Sequence, residues 1–148
     1  MGNSKDKPQT DFNWEAQWQQ LYLLAEDRYS DLQFYKDDLR FLYHLIDKYF
    51  MGLTLNANLD EMRELAKALS DESSACDALI EKTALHLKHL AELIDAPYKY
   101  DSHQCRTEHE KLEIEIDDFV KNFRKNKKEI FAITEKVMKK EIQKRLLP

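Results

Sequence analysis

Glycine and proline are scarce in this chain of 148 residues, which has two Gly and three Pro. Because Gly2 and Gly52 stand far apart in the sequence, no glycine-rich loop can cradle a phosphate or a dinucleotide. A β-sandwich would also need many more turn residues than this chain has. The composition therefore excludes the common nucleotide-binding motifs and favours long elements with few reversals.

Long apolar runs and paired cysteines are missing as well. No stretch approaches the roughly 18 apolar residues that a membrane-spanning helix needs, and the first residues, MGNSKDKPQTD, lack the apolar core of a secretory signal. Cys76 and Cys105 lie on different predicted helices, about 22 Å apart by helical rise, which is too far for a disulfide. We therefore expect a cytoplasmic protein with two reduced thiols and no membrane span.

Apolar residues recur at spacings of three and four in three long segments, from Trp14 to Tyr49, from Leu59 to Ile94 and from Leu112 to Val137. In the second segment the predicted buried seam is Leu59, Met62, Ala66, Leu69, Ser73, Cys76, Ile80, Thr83, Leu87, Leu90 and Ile94. A repeat of about 3.5 residues held over so many turns is typical of helices that coil around one another. The alternation of a β-strand fits none of the three segments.

Residues that end helices stand between the three segments. Gly52 follows the first and Pro97 follows the second. We therefore predict helices at about 12–50, 58–95 and 102–146. Residues 1–10 are predicted to be a disordered tail, and residues 11–148 a single domain.

Two motifs that begin the second and third predicted helices resemble capping boxes, namely Asn58 with Glu61 and Asp101 with Gln104. Short connections between long helices make neighbouring helices antiparallel. The predicted fold class is thus all-α, an up-down-up bundle of three long helices with coiled-coil packing.

A cluster of histidines is the strongest candidate for a metal site. If the chain reverses near Tyr98, residues of the second and third helices whose numbers sum to about 196 face each other. By this rule His86 and His89 lie level with His109 and Glu113, and imidazole and carboxylate groups in a bundle can hold zinc or iron. The Glu-x-x-His pairs of di-iron bundles are absent from the sequence. We therefore expect a partly solvated polar cluster and no cofactor, with metal binding as an alternative.

Positive charge is concentrated at the C-terminal end. Residues 120–148 hold 10 Lys+Arg and 3 Asp+Glu, although the whole chain has a net charge of -5. A basic amphipathic helix can contact an anionic membrane or nucleic acid, and such contact is a second alternative. Because the remainder of the chain is acidic, it opposes long-range attraction to a polyanion. We therefore expect no nucleic-acid partner.

Large apolar residues also lie outside the predicted seams. They are Phe34, Phe41, Tyr43 and Phe50 in the first helix and Phe131, Met138 and Ile142 in the third. Apolar rows beyond the one that a bundle buries need a second layer to pack against. No set of residues resembles catalytic machinery. We therefore predict a non-enzymatic protein with no small-molecule substrate, which binds protein through these residues and forms a homodimer.

Overall fold

A computed structural model describes residues 3–56, 59–97 and 101–146, with side chains described for 15–49, 60–97 and 101–146. Three helices account for nearly all of these residues: α1 (Asn3–Asn56), α2 (Leu59–Asp95) and α3 (Ser102–Leu146). Each helix packs against the other two, and the described ranges contain no strand. The predicted fold class, an all-α bundle of three helices, is confirmed.

The bounds of α2 and α3 agree with the prediction, whereas α1 extends beyond it at both ends. Residues 3–10, predicted to be a disordered tail, are helical, and α1 continues through Gly52 to Asn56. Extending an existing helix adds hydrogen bonds without a second nucleation cost. No described glycine has a positive φ, so Gly52 does not form a left-handed C-cap. The predicted cap residue Asn58 lies outside the described residues.

The start of α3 is capped as the sequence predicts. Asp101 Oδ1 accepts hydrogen bonds from the backbone N–H groups of His103, at 3.0 Å, and Gln104, at 3.3 Å. These amides lie in the first turn and have no partner within the helix. Asp101 therefore fixes where α3 begins, two turns before the residues of the candidate site.

The chain divides into two compact units, each built from a segment of every helix. The first unit comprises Met1–Gln33 and Ala78–Ile116, and the second comprises Phe34–Asp77 and Asp117–Pro148. Both units contain segments of all three helices. The single domain over residues 11–148 stays a prediction.

Contacts within each unit give the helix directions. In the first unit, Lys82 pairs with Glu115 and His89 with Glu108, so α2 and α3 are antiparallel. In the second unit the ring of Tyr35 contacts that of Phe123, and the ring of Phe41 contacts that of Phe131. Here the residue numbers rise together, so α1 and α3 are parallel, as an up-down-up topology requires.

The buried face of α2 differs from the predicted seam. One buried row, with a seven-residue spacing, is Met62, Leu69, Cys76, Thr83 and Leu90, as predicted. The other buried row is Leu65, Glu72, Leu79, His86 and Leu93. The residues predicted in its place, Ala66, Ser73, Ile80, Leu87 and Ile94, are half-buried or exposed. In the sequence this row flanks the predicted seam, and hydropathy ranks it second because two of its members are ionisable.

Glu72 lies in the core of the second unit and is only 7% exposed. Asn126 Nδ2 donates a hydrogen bond to Oε1 of Glu72 at 3.0 Å, whereas Oε2 has no hydrogen-bond partner. Burial raises the pKa of Glu72, the hydrogen bond from Asn126 partly offsets this, and the charge of Asp71 raises the pKa further. The ionised form of Glu72 therefore costs stability at neutral pH.

We expect Glu72→Gln to raise the free energy of unfolding at pH 7 by roughly 1 kcal/mol, because it removes a buried charge and keeps the acceptor for Asn126. A raised pKa in the folded state means that the stability contributed by protonated Glu72 is lost as the pH rises through that pKa. The gain should therefore disappear below about pH 4, where the carboxyl group is protonated in both states. Urea unfolding at pH 7 and pH 3.5 measures both values.

The matched control is Glu64→Gln, which makes the same substitution at an exposed position of the same helix. It should change the free energy of unfolding by less than about 0.5 kcal/mol at either pH. An equal gain in both variants would attribute the effect to net charge rather than to the buried carboxylate.

Candidate functional site

Two imidazole rings are buried in the first unit. His86 belongs to the second buried row of α2 and is 1% exposed, and His109 of α3 is 9% exposed. His86 Nε2 lies 2.9 Å from His109 Nδ1, and the ring centroids are 5.0 Å apart. The two rings therefore share one hydrogen bond inside the bundle.

Glu108 determines which ring nitrogens carry protons. Its Oε1 lies 2.6 Å from Nδ1 of His86 and 2.9 Å from Nδ1 of His89. A carboxylate can only accept, so both imidazoles donate to Glu108. In neutral His86 the other nitrogen, Nε2, is then an acceptor, and it takes the Nδ1–H of His109.

Hydrogen bonds thus run from Glu108 through His86 to His109. The remaining nitrogen of neutral His109, Nε2, is a proton acceptor. Nε2 lies 3.9 Å from Oε1 of Glu113, which is beyond hydrogen-bond distance. Arg28 of α1 donates to Glu113 through Nε, at 3.2 Å, and Nη2, at 2.9 Å. We call the six side chains from all three helices the histidine network: Arg28, His86, His89, Glu108, His109 and Glu113.

Burial sets the protonation of the network. It lowers the pKa of His86, although the hydrogen bond and charge of Glu108 act in the opposite direction. Burial also lowers the pKa of His109, and the charge of a protonated His86 would lower it further. For Glu108, burial raises the pKa, but the hydrogen bonds from His89 and His86 outweigh it and the net pKa is lowered. At neutral pH the network therefore holds an ionised Glu108 next to neutral His86, and His109 is neutral as well.

The two buried imidazoles, His86 and His109, can together take up one proton without breaking the hydrogen bond between them. A first proton enters at His109 Nε2, facing Glu113, and leaves the bond from His109 to His86 intact. A second proton would have to enter at His86 Nε2, where it meets the Nδ1–H of His109. Two protons therefore separate the rings, whereas one does not.

The structure brings the predicted residues His86, His89, His109 and Glu113 into one cluster. They were expected at one level because facing residues of the second and third helices have numbers that sum to about 196, which we call the fold-back rule. Sequence reasoning missed Glu108, although the same rule places it opposite His86 and His89. It also missed Arg28 as a member of the cluster. Arg28 was hard to find because its contact spans 85 residues of sequence.

Metal binding gains no support from the geometry. In the part of the chain that the structure describes, no group of three or more His, Cys, Asp or Glu is arranged to hold a metal ion. His86 and His89 both turn Nδ1 toward Glu108, and His86 Nε2 points at His109 rather than at a common centre. Both ring nitrogens of His86, and Nδ1 of His89 and of His109, are therefore already used in hydrogen bonds within the network.

A cavity of about 510 Å³ lies between α2 and α3 in the first unit, and His89, Glu108 and Cys105 line it. Burial raises the pKa of Cys105 to about 11, and the charge of Glu108 adds to this effect. The pKa of Cys76 in the second unit is also raised by burial to about 11. Because the thiolate is the reactive form, neither cysteine is an activated nucleophile at neutral pH.

A row of large apolar side chains is exposed on the second unit. Phe34 is 70% exposed, Phe41 53% and Phe131 40%, and Met138 and Ile142 are also exposed. The rings of Phe41 and Phe131 are 6.4 Å apart, so the rows on α1 and α3 meet. We call Phe34, Phe41, Phe131, Met138 and Ile142 the apolar stripe.

Two further residues of the predicted surface, Tyr43 and Phe50, are not part of the stripe as defined here. Tyr43 is exposed, but no ring contact joins it to the stripe among the described side chains. The backbone of Phe50 is helical, but its side chain lies outside the described residues.

No family model, curated protein or solved structure matches the chain. Within the ranges that the structure describes, no helix has the length and apolar character needed to cross a bilayer.

We expect the free energy of unfolding to fall as the pH drops below about 6.5, the usual pKa of histidine, because the unfolded chain takes up protons that the buried rings resist. His86→Gln should make this fall about half as steep, since one of two buried imidazoles no longer titrates. The amide of Gln can still donate to Glu108 and accept from His109. Urea unfolding at intervals from pH 7.5 to pH 5 measures the slope.

The control is His103→Gln, which removes an imidazole from an exposed position of α3. Its slope should equal that of the wild type. A wild-type slope that survives in His86→Gln would contradict the assignment of the buried rings as the groups that resist protonation.

Proposed function

We propose that this chain is a non-enzymatic, cytoplasmic protein-binding module that associates with itself as a homodimer through the apolar stripe. The observation that carries the proposal is the contact between Phe41 and Phe131, in which both rings remain well exposed. This contact joins two helices into one apolar surface.

The contact between Phe41 and Phe131, which links α1 to α3, distinguishes the stripe from single exposed apolar residues. Single exposed hydrophobic residues are normal on a protein surface, whereas a connected apolar patch with a polar rim is typical of an interaction site. Phe34 and Phe41 are seven residues apart, as are Phe131 and Met138, so each pair lies on one face of its helix. Aromatic residues and methionine are enriched at protein interfaces.

The chemistry of the phenylalanine rings favours burial against another protein. A Tyr hydroxyl can stay in water while its ring packs on a surface, but Phe34 and Phe41 have no polar end. Each Å² of apolar surface that is removed from water contributes about 25 cal/mol to the free energy of association. A partner that covers both rings therefore gains binding energy that the isolated chain forgoes.

A separate observation supports a non-enzymatic role. The pKa of each buried cysteine is raised to about 11 by burial, so both thiols are protonated at neutral pH. The buried imidazoles are hydrogen-bonded to one another and to Glu108. Neither of the two thiols is therefore an activated nucleophile.

The proposal predicts that the wild-type chain, with a monomer mass of 17.7 kDa, sediments as a dimer at tens of micromolar. The double variant Phe34→Ser with Phe41→Ser should raise the dissociation constant at least about tenfold, the equivalent of 1.4 kcal/mol. Because both side chains are exposed, the helical circular dichroism and the unfolding midpoint should change little. Sedimentation equilibrium across a concentration series measures the dissociation constant.

The control is Leu23→Ser with Leu24→Ser, which removes two exposed apolar side chains from the same helix but from the first unit. These residues are 60% and 51% exposed. The control should associate as the wild type does. A wild-type chain that stays monomeric at about 100 μM would refute self-association, since a specific dimer interface is occupied well below that concentration.

A further inference from the structure

A second cavity, of about 510 Å³, forms a groove between α2 and α3 in the second unit. Glu61 and Glu64 of α2 and Glu129 of α3 line it, together with the apolar residues Leu65, Ala68, Ala132 and Ile133. The two alanines leave room between the helices because their side chains are short. We call this feature the acidic groove.

The last turns of α3 present a surface of the opposite character. Met138, Ile142 and Leu146 are exposed and follow one another at four-residue spacing. We call these three residues the α3 row. Lys139 and Arg145 each lie three residues from Ile142, so they stand beside it on the helix surface. The row is therefore apolar with positive flanks, whereas the groove is apolar with negative flanks.

We propose that the α3 row of one copy of this chain docks in the acidic groove of a second copy. This inference rests on the proposed self-association and names the surface of the second copy that receives part of the apolar stripe. Met138 and Ile142 would contact the apolar residues of the groove. Lys139 and Arg145 would lie near Glu61 and Glu64.

The row of a chain cannot fill the groove of the same chain. Phe131, one heptad before Met138, contacts Phe41 of α1, so this face of α3 is turned toward α1. The groove lies on the opposite flank of α3, where α2 forms its other wall. A second copy supplies the complementary row without any rearrangement of the bundle.

The groove favours a second copy over an anionic membrane or a nucleic acid. Either polyanion could contact the basic flanks of the row, but neither would use an apolar groove lined by three glutamates. In a self-complementary contact, both surfaces lose exposed apolar area and both sets of charges gain opposite neighbours. The same chain carries both halves of the match.

Charge reversal with cross-complementation tests the docking. The row variant is Lys139→Glu with Arg145→Glu, and the groove variant is Glu61→Lys with Glu64→Lys. In either variant alone, row and groove carry like charges, so the dissociation constant should rise at least about tenfold. Lys139 does pair with Glu135, but both side chains are exposed and this pair adds little to stability.

An equimolar mixture of the two variants should recover the mass of the wild-type assembly. The row of each variant then faces a groove of opposite charge in the other variant. Sedimentation velocity of each variant and of the mixture, in about 50 mM and 500 mM NaCl, measures this. Recovery should weaken at the higher salt because salt screens exposed charges.

The control is Glu26→Lys with Glu81→Lys, which makes the charge change of the groove variant at exposed positions of the first unit. It should associate as the wild type does and should not complement the row variant. Equal loss in this control would overturn the docking, because net charge alone would then explain it.

The remaining outcomes separate this inference from the proposed function. If the wild type associates and both variants do so equally well, the docking is overturned and self-association stands. If the variants dissociate but their mixture does not recover, row and groove are not partners, which also overturns the docking. A wild-type chain that stays monomeric overturns both proposals. If that monomer binds phosphatidylserine vesicles and the row variant does not, the α3 row is assigned to a membrane instead.

Discussion

The structure depends on burial of the α2 row from Leu65 to Leu93, because the ionisable side chains in that row need polar partners from another helix. Its five members follow one another every seven residues, and Glu72 and His86 are among them. An ionisable group that is taken out of water costs several kcal/mol unless it is hydrogen-bonded or neutralised. Each unit of the bundle must therefore supply polar partners for one α2 side chain at a point where packing would otherwise be apolar.

The two units differ in how completely they supply hydrogen-bond partners for the buried ionisable side chain of α2. In the first unit, both ring nitrogens of His86 have partners, namely Glu108 and His109 of α3. In the second unit, Asn126 satisfies one oxygen of Glu72 and leaves the other without a hydrogen bond. Shifting α3 by one residue would remove the partners of His86, so the hydrogen bonds help to define the register of α3 against α2. In some proteins a polar contact inside the core sets the register of a helix in this way.

The outer surface follows from how few residues a three-helix bundle can bury. Each helix has a limited buried face, and α1 and α3 carry more apolar residues than those faces can hold. The excess forms the apolar stripe on the second unit. In the proposed docking, the α3 row and the acidic groove are different surfaces, so one docking event between two copies would leave one row and one groove unoccupied. Closure into a dimer then requires both contacts to form at once, whereas one contact alone would extend into a chain of copies.

The sequence alone determined the three helices, their antiparallel order and the residues of the exposed stripe. These features depend on periodicity, which is local and repeats over many turns, so a few polar interruptions do not hide it. The fold-back rule also placed His86, His89, His109 and Glu113 in one cluster, because levels along straight antiparallel helices follow from helical rise alone.

Tertiary structure decided which of two adjacent rows α2 buries, where α1 ends, and that Glu108 and Arg28 complete the histidine network. Hydropathy favoured Ala66 and Leu87 over Glu72 and His86, because a sequence pattern does not include the partners that make a buried charge acceptable. Those partners lie on another helix, and only the packed bundle brings them within hydrogen-bond distance.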